Sequence, residues 1–182
     1  ALAHRETVIE NAPREREIVV LASCLITMGS TLSGAGTATI HIEGVPALGA
    51  ARHPVMPDRI EAGTYAMAAA MTGGDVLLEG ALADTLETPI EILRQVGAEV
   101  TVTNEGIRVR RNGSGLAPVD VATAPFPGFA TDLQAQLMAL ASTAEGTSHI
   151  RETIFENRFM HVQELARFGA DIHLDGQVAT VH

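Results

Sequence analysis

The sequence contains no lysine and no tryptophan, and Cys24 is its only cysteine among 182 residues. All twelve basic residues are arginine, so no step in this chain can use a lysine amine. One cysteine excludes an internal disulfide and fits a reducing cytoplasm. Aromatic residues make up only 3% of the chain, whereas 46% is hydrophobic, which predicts an aliphatic core. We find no signal peptide and no apolar run that could span a bilayer, so we expect a cytoplasmic protein without a membrane partner.

The net charge of −10 argues against nucleic acid or an anionic membrane as partner. It leaves room for a small anionic substrate, because a few clustered arginines suffice to bind one. The seven histidines include no His-x-x-x-His pair and are spread over different predicted elements. We therefore predict no metal site and no cofactor.

An internal repeat of about 70 residues predicts the architecture. Three helical stretches each end in a glycine, which is typical of a helix C-cap, and an alternating strand and a second strand follow each of them. These helical stretches are Ile18 to Gly29, Pro89 to Gly97 and Phe159 to Gly169. The second strands are Thr39 to Val45, Ile107 to Arg111 and Val178 to His182.

A further helix and strand precede the later two repeats. The added helices are Asp58 to Met71 and Asp132 to Ala144, and the strands are Asp75 to Leu78 and Thr147 to Arg151. We predict an α/β fold (α+β repeats) of about three units, each helix–strand–helix–strand–strand, that must pack on one another to bury their faces. Asp58 and Asp84 are predicted helix N-caps. Residues 49–57 form a proline-bracketed connection, and residues 112–118 a flexible loop.

Asp132 and Arg158 are the most informative residues for function. The helix and strand between them predict that both side chains reach the same edge of a sheet. Thr131 and Gln134 form a capping-box pattern, which would leave the Asp132 carboxylate free in the first helical turn. Local alternatives stay open, because Asp132 could be only a favourable first-turn acid and Arg158 a solvated side chain. However, aligning the second and third repeats with Gly97 matched to Gly169 matches Arg158 to Leu86. A charged residue where the other repeat has a packing residue indicates a role other than packing.

Five stretches, in order over nearly the whole chain, resemble the enolpyruvyl transferases that act on UDP-N-acetylglucosamine. They are TVIENA at 7–12, SGAGT at 33–37, MPDRIEAGT at 56–64, TDLQAQ at 131–136 and FENRFMH at 155–161. The family fold implied by this resemblance is a clamshell of two lobes with three repeats each. Residues 1–48 would then be the last unit of one lobe, 49–57 the crossing, and 58–182 two units of the second lobe. The chain would be a central, truncated segment of such an enzyme.

The resemblance also implies a reaction and its residues. The enolpyruvyl group of phosphoenolpyruvate would pass to the 3′-hydroxyl of UDP-N-acetylglucosamine, which begins bacterial peptidoglycan synthesis. Asp132 matches the acid that holds and deprotonates the sugar hydroxyl, Ile154 a nucleotide-sugar contact, and Arg158 a cation near the reacting centre. Arg59 matches a further motif arginine that would line the site, unless it only forms a hinge salt bridge. Cys24 matches no reactive cysteine loop, and we predict a buried, inert thiol.

Two alternatives remain at this point. The first is the 3-phosphoshikimate 1-carboxyvinyltransferase reaction, which shares the fold and the chemistry. The second is a catalytically inactive fragment that retains the repeat, because the Lys-Asn pair, the cysteine loop and the later arginines of the family have no match here.

Overall fold

The computed structural model describes residues 1–113 and 115–182, and Ser114 of the predicted flexible loop lies outside the described residues. The chain divides into two compact units, residues 1–56 and residues 57–182. None of the helices in the described part of the chain is long and apolar enough to cross a membrane.

The first unit is one helix with a three-stranded antiparallel sheet. Its elements are β1 (Glu6–Glu10), α1 (Arg16–Thr27), β2 (Thr31–Ser33) and β3 (Thr39–Glu43). The strands are ordered β1-β3-β2. Gly34, at φ +81°, begins the turn between β2 and β3, and a Cβ there would lie 2.1 Å from the Thr39 carbonyl oxygen. Only glycine fits this position.

The second unit contains two longer repeats. The first repeat consists of α2 (Arg59–Thr72), β4 (Asp75–Glu79), α3 (Glu87–Gln95), β5 (Glu99–Val102) and β6 (Gly106–Arg110). The second consists of β7 (Asp120–Ala122), α4 (Gln134–Ala141), β8 (Ser148–Arg151), α5 (His161–Arg167), β9 (Ile172–Asp175) and β10 (Val178–Val181). Their sheets are ordered β4-β6-β5 and β7-β8-β10-β9, with β7 parallel to β8.

The predicted repeat is confirmed by the sheet order and by the helix ends. Each sheet places the last strand of its repeat between the other two, and β7 is an addition at one edge. The three predicted C-cap glycines, Gly29, Gly97 and Gly169, have φ angles of 101°, 100° and 99°. Three equal left-handed turns at equivalent positions show that one local signal ends all three helices. The α/β fold class predicted from the sequence is therefore correct.

The second unit has a continuous, mainly aliphatic core that joins its two repeats. Fully buried members come from α2, α3, α4 and the strands beside them, and two phenylalanines, Phe129 and Phe159, contribute as well. In the first unit the buried hydrophobic side chains are Ala12, Ala22 and Ile40. Cys24 is only half-buried on α1, so the prediction of a buried thiol was wrong. The covered face of this helix centres on Ala22, and Cys24 lies at its edge.

The two predicted N-caps have different outcomes. Asp58 caps α2, since its Oδ1 accepts the backbone N–H groups of Ile60 at 2.7 Å and Glu61 at 3.3 Å. Asp84 is not at the N-cap position of α3. It lies inside a 3-10 turn (Ala83–Thr85), and Leu86 occupies the N-cap position. The extra 3-10 turn moves the helix start past the aspartate.

Candidate active site

Asp132 and Arg158 meet at one edge of the second repeat. Arg158 donates from Nη2 to Asp132 Oδ1 at 2.7 Å, across 26 residues of sequence. The Arg158 and Asp132 side chains are 37% and 55% exposed. Exposed ion pairs contribute only about 0–1 kcal/mol to stability. The predicted proximity is confirmed, and both charged groups remain accessible to a ligand.

A buried leucine fixes the turn that carries Asp132. Thr131–Leu133 forms a 3-10 turn that leads directly into α4. Leu133 is fully buried, and its Cδ1 lies 2.7 Å from where a Cβ on Gly63 of α2 would be. The absence of a side chain at Gly63 lets α2 approach this closely. The turn that carries Asp132 is therefore fixed in position by the packing of Leu133 against α2.

Thr131 does not cap the helix, which corrects the capping-box prediction. No side-chain cap is present on the turn, and Thr131 Oγ1 instead donates to Glu152 Oε2 at 2.7 Å. Thr131 Oγ1 also accepts a hydrogen bond from Arg158 Nη1 at 2.9 Å. Gln134 Nε2 reaches Glu152 Oε2 and the Arg158 carbonyl oxygen, both at 3.3 Å. Hydrogen bonds to charged groups are stronger than neutral ones, so distant charges outcompete the local cap.

Arg158 is oriented by the loop before α5 and precedes that helix by three residues. Asn157 has φ +57°, a left-handed conformation that asparagine tolerates better than most side chains. The Phe155 ring lies 5.2 Å from Arg158 Cζ, in cation–π geometry. The guanidinium is thus held by an aromatic face, a hydroxyl and a carboxylate.

Glu152 was missed by the sequence analysis, although it lies at the centre of this site. It is 1% exposed and directly follows β8. Its two oxygens accept five hydrogen bonds, from Thr123 Oγ1, Thr131 Oγ1, Gln134 Nε2 and the backbone N–H groups of Ile154 and Phe155. Burial opposes ionisation, but hydrogen bonds from Thr131, the two backbone N–H groups and Thr123 outweigh it, and the pKa of Glu152 lies below its usual value.

The repeat contained a signal that could have found Glu152. When the two repeats are aligned in sequence with Gly97 matched to Gly169, the alignment that also distinguished Arg158, Glu152 is matched to Gly80. A carboxylate that stands where the sister repeat has no side chain marks a position with a role beyond the repeat architecture.

Ile154 and Arg59 occupy different surroundings. Ile154 belongs to the same loop, donates its N–H to Glu152 Oε1 at 2.8 Å, and keeps a partly exposed side chain. Arg59 is the first residue of α2, and its Cζ lies 5.6 Å from the centroid of the Phe126 ring. The structure therefore places Ile154 in the loop between Glu152 and Arg158, and Arg59 over Phe126 in the segment that leads toward Thr131.

His161 contributes little charge to the site near neutral pH. Burial lowers the pKa of its imidazole, and the positive charge of Arg158 lowers it further. Arg158 therefore provides the positive charge beside Asp132.

The arrangement can accept a proton and bind an anion at adjacent points. An exposed carboxylate at Asp132 can accept the proton of a substrate hydroxyl, and the Arg158 guanidinium can bind a phosphate or carboxylate. Within residues 1–113 and 115–182, no cluster of histidine, cysteine and acidic side chains could hold a metal ion.

Two bacterial carboxyvinyltransferases are similar to this chain over nearly its whole length. The chain is 68% identical over 181 residues to the UDP-N-acetylglucosamine 1-carboxyvinyltransferase of Azorhizobium caulinodans and 67% identical over 180 residues to that of Xanthobacter autotrophicus. The matches include 100% and 99% of this chain, but it spans only about 42% of the length of either relative.

Solved structures give the same picture of the fold. The enolpyruvyl transferase NikO from Streptomyces tendae aligns with the whole of this chain, at a TM-score of 0.82 and 26% identity. The aligned part is 43% of the NikO chain. An EPSP synthase from Acinetobacter baumannii aligns with the whole of this chain and with 42% of the EPSP synthase chain, at a TM-score of 0.51. At 18% identity this similarity bears on the fold alone. The profile of EPSP synthase (3-phosphoshikimate 1-carboxyvinyltransferase) matches residues 1–182. The chain therefore belongs to the EPSP synthase family of carboxyvinyltransferases.

Proposed function

We propose that this chain is part of an enzyme that transfers the enolpyruvyl group of phosphoenolpyruvate to the 3′-hydroxyl of UDP-N-acetylglucosamine. The carrying observation is the exposed Asp132–Arg158 pair at 2.7 Å, in a chain 68% identical to a protein named for this reaction class. The reaction would be the first committed step of peptidoglycan synthesis in a bacterial cytoplasm, and through the cell wall it would serve cell shape and division.

In the first half of the proposed reaction, Asp132 receives the proton of the 3′-hydroxyl. The sugar oxygen attacks C2 of phosphoenolpyruvate while a proton adds to C3, which gives a tetrahedral adduct. In the second half, C3 loses a proton and phosphate leaves from C2, which restores the alkene on the sugar. Arg158 would bind a substrate anion as charge moves onto the phosphate.

Binding of the nucleotide sugar would involve the loop after β8. Ile154 would contact the nucleotide sugar, and Arg59 would line the site from the start of α2. Both roles rest on the motif matches and on the positions of the two residues.

The remaining groups would come from further chain, because this sequence spans about 42% of the length of its relatives. The chain has no lysine, and no residue here is a good candidate to protonate C3. We expect the 182-residue polypeptide alone to show no turnover.

The test compares this polypeptide with the longer reading frame that contains it. Phosphate release is measured with phosphoenolpyruvate and either UDP-N-acetylglucosamine or shikimate 3-phosphate as acceptor. We expect release only from the longer protein and only with the nucleotide sugar. Release with shikimate 3-phosphate would establish the alternative reaction, and no release with either acceptor would favour an inactive relative. Release from the 182-residue polypeptide would refute its incompleteness.

A further inference from the structure

Glu152 is buried in a part of the fold where the architecture does not require a charge. The sister repeat contains the equivalent turn of strand into loop with Gly80 at this position. The sequence alignment of the two repeats that matches Gly169 to Gly97 also matches Thr131 to Arg59, Gln134 to Ala62 and Arg158 to Leu86. The group of polar residues around Glu152 therefore belongs to the second repeat alone.

All five contacts of Glu152 come from donors. Oε1 accepts from the Thr123 hydroxyl at 2.9 Å and from the N–H groups of Ile154 and Phe155 at 2.8 and 3.2 Å. Oε2 accepts from the Thr131 hydroxyl and the Gln134 amide. A carboxylate is the side chain that can accept at both ends and donate at neither. The pKa of Glu152 lies below its usual value for the same reason, so the group is ionised near neutral pH.

The contact with Thr131 determines the polarity of the next hydrogen bond. A hydroxyl has one proton, and the Thr131 proton is directed to Glu152 Oε2 at 2.7 Å. The oxygen lone pairs therefore remain available to Arg158 Nη1 at 2.9 Å, while Nη2 of the same guanidinium donates to Asp132 at 2.7 Å. Glu152, Thr131, Arg158 and Asp132 form one directed chain of hydrogen bonds from the interior to the exposed carboxylate.

Oε1, the other oxygen of Glu152, orders the loop that carries Phe155, whose ring contacts Arg158. By accepting the N–H groups of Ile154 and Phe155, it fixes the backbone from which the Phe155 ring reaches Arg158 at 5.2 Å. One buried carboxylate thus controls two independent supports of the same guanidinium.

We propose that Glu152 is a positioning residue, which holds Arg158 on Asp132 by fixing the direction of the Thr131 hydrogen bond. The proposal rests on the proposed function, because it makes Glu152 necessary for the geometry in which Asp132 takes the hydroxyl proton. Glu152 itself touches no substrate in this scheme.

Glu152→Gln gives the sharpest variant because it preserves shape and reverses one hydrogen bond. If the amide nitrogen takes the place of Oε2, it donates to Thr131 and no longer accepts the hydroxyl proton. The proton is then free to rotate, and in the rotamer that directs it at the Arg158 guanidinium donor faces donor, which weakens the Thr131–Arg158 contact. If the nitrogen takes the place of Oε1, it faces two backbone N–H groups and disorders the loop that carries Phe155.

The kinetic test uses the longer protein with four variants. We expect Glu152→Gln and Thr131→Val to lower kcat about tenfold to a hundredfold, the scale of a small misplacement of reacting groups, with a much smaller change in KM for the nucleotide sugar. Thr131→Ser should retain the hydroxyl link and most of the activity. Glu91→Gln, the same chemical change at an exposed position on α3, should leave kcat unchanged.

A double-mutant cycle separates positioning from a general loss of structure. Because the proposal assigns the effect of Glu152 on kcat to its hydrogen bond with Thr131, Glu152→Gln combined with Thr131→Val should lower kcat no further than the worse single variant. Additive losses, or a normal kcat in folded Glu152→Gln, would overturn the proposal. If Glu152→Gln does not fold, the Thr131→Val and Thr131→Ser pair decides, since equal rates in these two variants would refute the link.

A crystal structure of the Glu152→Gln protein gives a readout independent of turnover. We expect the Arg158 Nη2 to Asp132 Oδ1 distance to exceed about 4 Å, the limit of an ion pair. An intact pair at 2.7 Å would refute positioning by Glu152 even in a protein without activity. Absent turnover in the unsubstituted longer protein would instead refute the proposed function and leave this structural test in force.

Discussion

Arg158 Nη2 lies 2.7 Å from Asp132 Oδ1, and both side chains retain access to solvent. An ion pair in this setting adds little stability. Its value lies in placing a proton acceptor and an anion-binding group at one point. A substrate with a hydroxyl and an anionic group can therefore be bound and activated together.

Asp132→Asn should separate the catalytic role from a merely local one. In the longer protein we expect turnover to fall by about 10² to 10⁴, the usual contribution of a positioned general base. Nucleotide-sugar affinity should fall much less, because the amide still hydrogen-bonds a hydroxyl. Steady-state kinetics and a melting curve on one preparation measure both effects.

The control for this prediction is Asp171→Asn, an exposed aspartate after α5, which should leave turnover unchanged. A normal rate in Asp132→Asn would remove Asp132 from the mechanism. A lowered melting temperature with that normal rate would leave Asp132 a purely structural role, through the Arg158 ion pair or the helix dipole.

Glu152 should make the stability of the protein depend on acid pH. Its pKa in the folded state is below its usual value, so its contribution to the free energy of unfolding is complete above about pH 5 and is lost as pH falls through the folded pKa. Glu152→Gln should destabilise by about 1–3 kcal/mol at neutral pH, because buried donors lose their acceptor. Denaturant unfolding of both proteins at several pH values should show this difference shrinking below about pH 4.

A difference that stays constant between pH 7 and pH 3 would contradict this account of Glu152. Glu91→Gln provides the matched control, since the same chemical change at an exposed position should leave the free energy of unfolding at neutral pH nearly unchanged.

Gly63→Ala should destabilise the protein although alanine favours helices. The gain from helix propensity is about 1 kcal/mol, whereas the new Cβ would lie 2.7 and 2.9 Å from the two Cδ atoms of fully buried Leu133. Overpacking of this kind costs about 1–3 kcal/mol, and it would also shift the turn that carries Asp132. We therefore expect lower stability together with lower kcat, measured by denaturation and by steady-state kinetics.

The matched control adds Leu133→Val, which removes both Cδ atoms. This second change should recover part of the stability and rate lost in Gly63→Ala. Gly63→Ala with raised stability would show that α2 and the turn are less tightly apposed than 2.7 Å implies.

Cys24→Ser should leave turnover of the longer protein near its unsubstituted value. Cys24 is half-buried on α1, and none of the described contacts gives it a base. A loss beyond about a hundredfold in a folded variant would show a catalytic role for this thiol. Steady-state kinetics with a melting curve measures both quantities.

The candidate site was only partly predictable from sequence. Asp132 and Arg158 were predicted to meet, because an intervening helix and strand bring both to one sheet edge. Thr131 was predicted to cap a helix, yet its hydroxyl bonds to Glu152, 21 residues away. A capping pattern concerns four neighbouring residues and contains no information about a buried carboxylate on another element.

The missed strands have a similar explanation. β1 is exposed along its whole length, and β7 has only three residues. β1 therefore lacks the alternation of buried and exposed side chains that identifies a strand in sequence, and β7 alternates over too few residues for the pattern to be recognised. Each is a strand because a neighbour supplies its hydrogen bonds, β3 for the first and β8 for the second.

The sequence by itself determined the repeat and the glycine ends of its three helices, because glycine conformation and apolar spacing act within a few residues. Gly29, Gly97 and Gly169 end their helices at nearly the same φ in three different surroundings. Only the tertiary structure decided that Glu152 is buried and that Thr131 points toward it. Those outcomes depend on segments far apart in the chain, whose donors converge on one carboxylate after the sheet and helices have packed.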